Sequence, residues 1–209
     1  MEILFETPRL RIRRAQPDEA DTAFFLRLWN DPRVMRFVGF PYGLRLTAEQ
    51  VRQSIERGLQ IGDERHLDAR LVAILKGTAP EAGNPAAGET PIGECKLGTP
   101  DADGLSETDV KLLPQFWGQG YGTEIKRGLL AYLFTCTECQ VVQASPNVDN
   151  LASIRMQEAV GGTRVGEHLY EFPPEMQPFT CPVHSYIYHV RREEWLKGAS
   201  QGAAGIPPV

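Results

Sequence analysis

A chain of 209 residues, 42% of them hydrophobic and 23% charged, has the length and apolar content for one globular domain with its own core. Its formal net charge of −5 argues against a partner gripped through nucleic-acid phosphates, which calls for a basic surface, and suits a cationic acceptor such as an amine. No apolar run approaches membrane-spanning length and Met1-Glu2-Ile3 begins no signal peptide, so no membrane partner and a cytoplasmic location are expected.

In chain order, apolar and basic residues alternate over residues 10–13 and predict a half-exposed strand. Asp18 is placed to cap a helix whose Ala20, Phe24 and Leu28 share a face and which ends near Asp31-Pro32. Thr47-Ala48-Glu49-Gln50 spells a capping box ahead of Val51, Ile55 and Leu59. Residues 71–75 and 92–97 read as short strands. Between them, residues 76–91 form a Gly/Pro/Ala-rich insertion that reads as a long mobile hairpin loop. A strand over residues 108–113 precedes a glycine-rich turn, and Ile125, Leu129 and Leu133 give the next helix an apolar stripe. Residues 140–144 form a strand parallel to the preceding one, because a helix connects the two. Residues 150–160 read as a helix closed by Gly161 and Gly162. Residues 164–166 and 185–190 are the last strands, with an aromatic- and proline-rich loop at 168–182 between them. Residues 1–197 thus read as a single domain and residues 198–209 as a disordered tail; no internal repeat is present.

Cys136 and Cys139 make a C-x-x-C spacing, yet Cys95, Cys181 and the four histidines supply no regularly spaced second ligand pair. Reduced thiols at a helix end, and no metal, are the expectation.

The stretch Leu112-Leu113-Pro114-Gln115-Phe116-Trp117-Gly118-Gln119-Gly120-Tyr121-Gly122-Thr123-Glu124 carries the most chemistry. Glycine at every second position lets backbone N–H groups converge on an anion at the start of a helix, where the dipole also favours negative charge. That describes a pyrophosphate cradle. No Gly-Lys-Ser/Thr follows, so it is not a Walker loop, and Thr123 stands where the dinucleotide fingerprint ends in glycine.

This strand–turn–helix resembles the acyl-CoA site of the GNAT N-acetyltransferase superfamily, whose signature is Gln/Arg-x-x-Gly-x-Gly/Ala, with Gln115, Gly118 and Gly120 in the signature positions. Glu6-Thr7-Pro8-Arg9-Leu10-Arg11-Ile12-Arg13 is similar to the first strand of the RimJ/RimL-type branch, and Trp29-Asn30-Asp31-Pro32-Arg33-Val34-Met35 to the helix–turn after it. Asn150-Leu151-Ala152-Ser153-Ile154-Arg155 and Val160-Gly161-Gly162 resemble its fourth helix, so the likeness spans residues 3–167. It implies an α/β domain of the α+β type: a mixed, mostly antiparallel sheet of six or seven strands, splayed at two parallel central strands and flanked by helices. It also implies an acetyl-CoA-dependent N-acetyltransferase acting on a protein N-terminal amine or a small primary amine by direct attack in a ternary complex. The alternatives are an aminoglycoside- or polyamine-acetylating enzyme, or a non-catalytic acyl-CoA-binding module.

On this resemblance, main-chain groups of Val110, Leu112 and Leu113 pair with the pantetheine arm. Gln115, Trp117, Gly118, Gln119, Gly120, Tyr121, Gly122 and Thr123 hold the pyrophosphate, and Asn150 and Ser153 lie beside the pantetheine and thiol. Asn150 also reads as a plain helix N-cap. Glu107 stands where several members carry a strand glutamate that deprotonates the amine through water, with Glu94 on the neighbouring strand as second candidate. Strand alternation puts Glu107, Asp109 and Lys111 on one face and Thr108, Val110 and Leu112 on the other; a solvated strand face is the competing reading. Many members carry a tyrosine seven residues after the asparagine as general acid. Here that position is Gln157, which leaves Ser153, a water, or unassisted departure of the thiolate.

Trp29, Phe37, Phe40, Tyr42 and Tyr170-Glu171-Phe172-Pro173-Pro174 are candidate acceptor-pocket walls, in competition with core or lid packing, as are His184 and His189. Acceptor choice is expected in the loops at 39–47 and 168–182. Many members of the superfamily dimerise, which makes a homodimer the expected partner state.

Overall fold

The computed structural model describes residues 3–61, 70–77 and 89–200; residues 78–88 of the insertion and 201–209 of the tail lie outside the described residues. The chain runs β1 (Ile3–Glu6), β2 (Leu10–Arg14), α1 (Glu19–Trp29), α2 (Pro32–Met35), α3 (Ala48–Ile61), β3 (Arg70–Lys76), β4 (Glu89–Leu97) and β5 (Leu105–Leu112). It continues through α4 (Tyr121–Cys136), β6 (Val141–Ala144), α5 (Leu151–Ala159), β7 (Thr163–Tyr170), β8 (Val183–Arg191) and α6 (Arg192–Ser200).

Helix starts follow the capping chemistry of the sequence. Asp18 accepts from the Asp21 N–H at 2.9 Å, and in the reciprocal box Gln50 takes the Thr47 N–H at 2.8 Å while Thr47 Oγ1 takes the Gln50 N–H at 3.3 Å. The last helix reaches Ser200, so residues 198–200 are helical where composition reads as tail.

One mixed sheet has the order β1-β2-β3-β4-β5-β6-β8-β7, with every pair antiparallel except β5 and β6. It holds eight strands where the sequence predicts six or seven. The additional strand is β1, four residues long and too short for alternation to mark it. β7 starts one residue before the predicted strand and takes in residues 168–170 of the predicted loop.

Alternation along β3 builds the two cores. Leu71 and Ala73 face α4 with Leu10, Ile12, Ile92 and Leu97, against Ile125, Leu129 and Leu133. Val72 and Ile74 face the other way, against Phe24, Phe25 and Leu28 of α1 and Val51 and Ile55 of α3. The result is helix, sheet, helix in three layers. Among the described residues no helix is long and apolar enough to cross a membrane.

Candidate active site

The parallel seam between β5 and β6 is short. Leu105 pairs with Val141, Ser106 with Val142 and Glu107 with Gln143, and the pairing stops there while β5 continues to Leu112. The Glu107 carbonyl accepts from the Gly98 N–H at 2.7 Å and the Leu113 N–H donates to the Ile92 carbonyl at 2.9 Å, so odd-numbered residues here turn their backbone toward β4. Thr108, Val110 and Leu112 therefore turn their backbone toward β6, which no longer accompanies them. The Leu112 carbonyl is taken by the Trp117 indole N–H at 2.8 Å. Leu113, grouped with Val110 and Leu112 by the resemblance, is not on this free edge: its N–H is engaged by β4 and its side chain is buried.

At the end of that edge the chain turns through Gly118 and Gly120, both left-handed at φ 72° and 80°, into α4. A Cβ built at Gly118 would meet nothing within 4 Å, so the space above the turn is open. Among the described residues none of the N–H groups of residues 118–123 is hydrogen-bonded, which leaves a run of donors at the positive end of a sixteen-residue helix. The Gln115 carbonyl accepts from the Gln119 amide at 2.9 Å, which ties the turn to itself. The β1–β2 turn closes over it: Glu124, in the first turn of α4, accepts from the Thr7 hydroxyl at 2.6 Å and the Arg9 backbone N–H at 2.9 Å. Burial resists the charge on Glu124, but these donors outweigh it and hold the carboxyl below its ordinary value.

The two candidate bases sit in unlike surroundings. Glu107 is exposed at the last residue of the seam and accepts from Gln143 Nε2 at 2.9 Å, and Gln143 Oε1 in turn meets His189 Nε2 at 3.0 Å. Burial, and then the Arg191 charge, push the His189 pKa below that of a free histidine. Glu94 is buried and saturated: the Trp29 indole donates at 2.8 Å, Arg70 at 2.9 Å, and the Lys111 ammonium lies 3.7 Å away. Lys111 also grips Asp109, and although burial resists the charge, the ammonium holds Asp109 below its ordinary value. On the opposite face of β5, buried Lys126 of α4 donates to the Thr108 hydroxyl. Burial pushes Lys126 down to about 7, with Asp109 pulling weakly the other way.

Asn150 caps α5, accepting from the Ser153 N–H at 3.2 Å, and Ser153 is half-buried on the first turn. Gln157 is buried on the same helix.

The two loops expected to choose the acceptor meet. The Cys181 N–H donates to the Gly39 carbonyl at 2.9 Å, and the Phe40 and Phe172 rings pack at 5.3 Å. Together they border an open cavity of about 630 Å³ lined by Phe40, Tyr42, Leu44, Leu46, Met176, Pro178 and Phe179, with Glu175 its one acidic and Arg45 its one basic lining residue. Trp29 is not a wall; it is buried under the Arg70 guanidinium at 4.4 Å. Phe37 is not a wall either, and lies under Arg36 at 4.5 Å. His184 pairs outward with Glu167 at 3.6 Å.

Sequence reading did not single out Gln143 or Lys126 as parts of this region, and it named Glu94 without its pairing to Trp29, Arg70 and Lys111. Each depends on a partner far along the chain, such as Gln143 with Glu107, thirty-six residues apart. The only local signal was that β5 carries Glu, Asp and Lys at every second position.

The family model for the acetyltransferase (GNAT) domain matches residues 9–163. The chain is 25% identical over 168 residues to an uncharacterized N-acetyltransferase, p20, of Bacillus licheniformis, covering 79% of this chain and 85% of that protein. Its fold is like that of the acetyltransferase (GNAT family) from Bacillus anthracis, with a TM-score of 0.66 at 20% identity over 92% of this chain and 99% of that one. It is also like that of spermidine N-acetyltransferase from Vibrio cholerae, solved with CoA and spermine, with a TM-score of 0.69 at 16% identity over 91% and 99%.

Proposed function

The chain belongs to the GNAT acetyltransferase family, and from that premise we propose that it uses acetyl-CoA as cosubstrate to acetylate a primary amine, in the manner of the RimJ/RimL-like branch. The observation that carries this reading is the continuity of the free β5 edge with the unengaged N–H groups of residues 118–123. A pantetheine arm is an extended chain with two amides, and Val110 and the N–H of Leu112 offer it a strand edge that β6 does not pair. The diphosphate then falls on the glycine turn, where open space and donors coincide. Acetyl-CoA supplies an activated acyl carbon, and no metal is needed for its transfer.

Glu107 is the base we assign. Glu94 has both oxygens committed to cations and an indole, and Lys111 holds Asp109 below its ordinary value. Glu107 alone of the three is exposed beside the seam, aimed by Gln143. On the family resemblance we assign Asn150 and Ser153, at the start of α5, to the thiol end of the arm, with Ser153 serving the departing thiolate in place of a tyrosine at Gln157.

For the acceptor, the cavity favours a single amine on an apolar body, such as a protein N-terminus with bulky first residues. Its walls are aromatic and aliphatic, with Glu175 the one acidic residue among them. A polyamine spreads several cations and calls for several carboxylates; the fold likeness to a spermidine N-acetyltransferase keeps that reading as the alternative. Calorimetric titration with acetyl-CoA tests the donor, and absence of binding at millimolar ligand removes the proposal. A panel of N-terminal peptides, monoamines, polyamines and aminoglycosides then separates the acceptors, the first two being the expected substrates. Glu107→Gln is expected to keep acetyl-CoA affinity and lower kcat by at least about tenfold with the preferred amine.

A further inference from the structure

Arg9 belongs to the turn between β1 and β2, yet its side-chain contacts go to the start of α4. Its Nε pairs with Glu124 Oε2 at 2.6 Å, its Nη1 donates to the Gln119 carbonyl at 3.1 Å, and its guanidinium lies 4.3 Å from the centre of the Tyr121 ring. These three contacts fix the plane of the group. They leave Nη2, which makes no hydrogen bond among the described residues, 3.5 Å from the point where a Cβ on Gly120 would stand. A rigid guanidinium whose Nη2 has both N–H donors unused thus overhangs the glycine turn.

The electrostatics of the turn need such a group. Glu124 puts a carboxylate, held ionised, in the first turn of α4, close to where a doubly charged diphosphate settles on the free N–H groups. Helix dipole and N–H donors attract the diphosphate, while the carboxylate repels it. A cation inserted between the two anions reverses the sign of that last term. Arg suits this role because its planar fork can hold a carboxylate with one edge and a phosphate with another.

We infer that Arg9 is a donor-binding residue: its Nη2 edge holds the diphosphate of the acyl-CoA, while Nε and Nη1 anchor it to α4. The inference rests on the donor reading above and adds to it a cation supplied by a strand turn more than a hundred residues away in sequence. If it holds, the reach of the β1–β2 turn across the sheet is part of the binding site and not only a clasp on α4.

The test uses Arg9→Gln and Glu124→Gln in the full chain, each first shown by thermal melting to be folded. Binding of CoA, 3′-dephospho-CoA and pantetheine is measured by calorimetry, and kinetics are run with acetyl-CoA and S-acetylpantetheine. Arg9→Gln is expected to weaken CoA and 3′-dephospho-CoA by about tenfold or more, to raise KM for acetyl-CoA with kcat little changed, and to leave the phosphate-free donor within about twofold. Glu124→Gln, which breaks the same clasp but removes a negative charge, is expected to keep or improve CoA affinity. Two results overturn the inference: equal losses with and without phosphates, or the same loss in both variants, since a mere clasp predicts both. A loss seen with CoA but absent with 3′-dephospho-CoA also overturns it, by moving the contact to the 3′-phosphate. Failure of the parent chain to bind CoA at all is a different result and removes the donor reading itself.

Discussion

Lys126 is the residue that most plainly costs this fold something. Its ammonium is buried, and the Thr108 hydroxyl is its hydrogen-bond partner; among the described residues no carboxylate pairs with it. A free lysine loses its proton near pH ~10.4, whereas burial brings Lys126 down to about 7. The folded state therefore binds this proton less readily than the unfolded chain does. The sign follows: the parent is most stable with respect to this group above about pH 10, loses stability as the pH falls toward 7, and loses no more below that. Lys126→Met keeps the volume and removes the charge, so it is expected to stabilise the chain at pH 7 by at least about 1 kcal/mol, a rise of roughly 2–4 °C in Tm. Melting curves of the two proteins from pH 7 to 10 check this. The gap should close toward pH 10, and a constant gap or a less stable variant contradicts the assignment.

At the level of elements, α4 is the part on which the site depends, and Gly128 sets how closely it lies on β1. A Cβ there would come within 2.4 Å of the Phe5 ring, which itself packs at 6.0 Å on Tyr132 one turn further along α4. Gly128→Leu should force β1 away from α4 and cost about 1–3 kcal/mol by overpacking. The damage should appear in hydrogen exchange as lost protection in β1 and β2 and spare β7 and β8; uniform loss across the sheet argues against a local cause. The elements the sequence revealed are those with local signals. The cap at Asp18 and the capping box at Thr47 marked α1 and α3, and Ile125, Leu129 and Leu133 marked α4. β7 was only partly legible because as an edge strand it is exposed on both faces, so Thr163–Tyr170 has no polarity alternation to read. The glycine turn was legible for the opposite reason, since its whole chemistry lies within the nine consecutive residues from Gln115 to Thr123. The clasp of Thr7 and Arg9 on Glu124 was not, because no spacing rule connects residues 115 or more apart.

The whole molecule is a sheet in two unequal parts, β1 to β5 and β6-β8-β7, held side by side by three residue pairs. Beyond those pairs β5 keeps β4 on one side but has no strand on the other, and on our reading the donor lies there. This arrangement has a kinetic consequence. On that reading the free edge and the glycine turn grip the pantetheine arm and the diphosphate, and both are still present after the acetyl group has gone. Spent CoA is thus held by nearly the same contacts as the loaded form, and the chain has little with which to tell them apart. Product CoA should compete with acetyl-CoA at a Ki within about threefold of the acetyl-CoA dissociation constant, because binding common to both forms cannot favour release. Initial-rate measurements with added CoA decide it. A Ki a hundredfold weaker would mean that the acetyl group itself carries the affinity. With the expected value, the pool ratio of acetylated to free CoA sets how fast this enzyme can run.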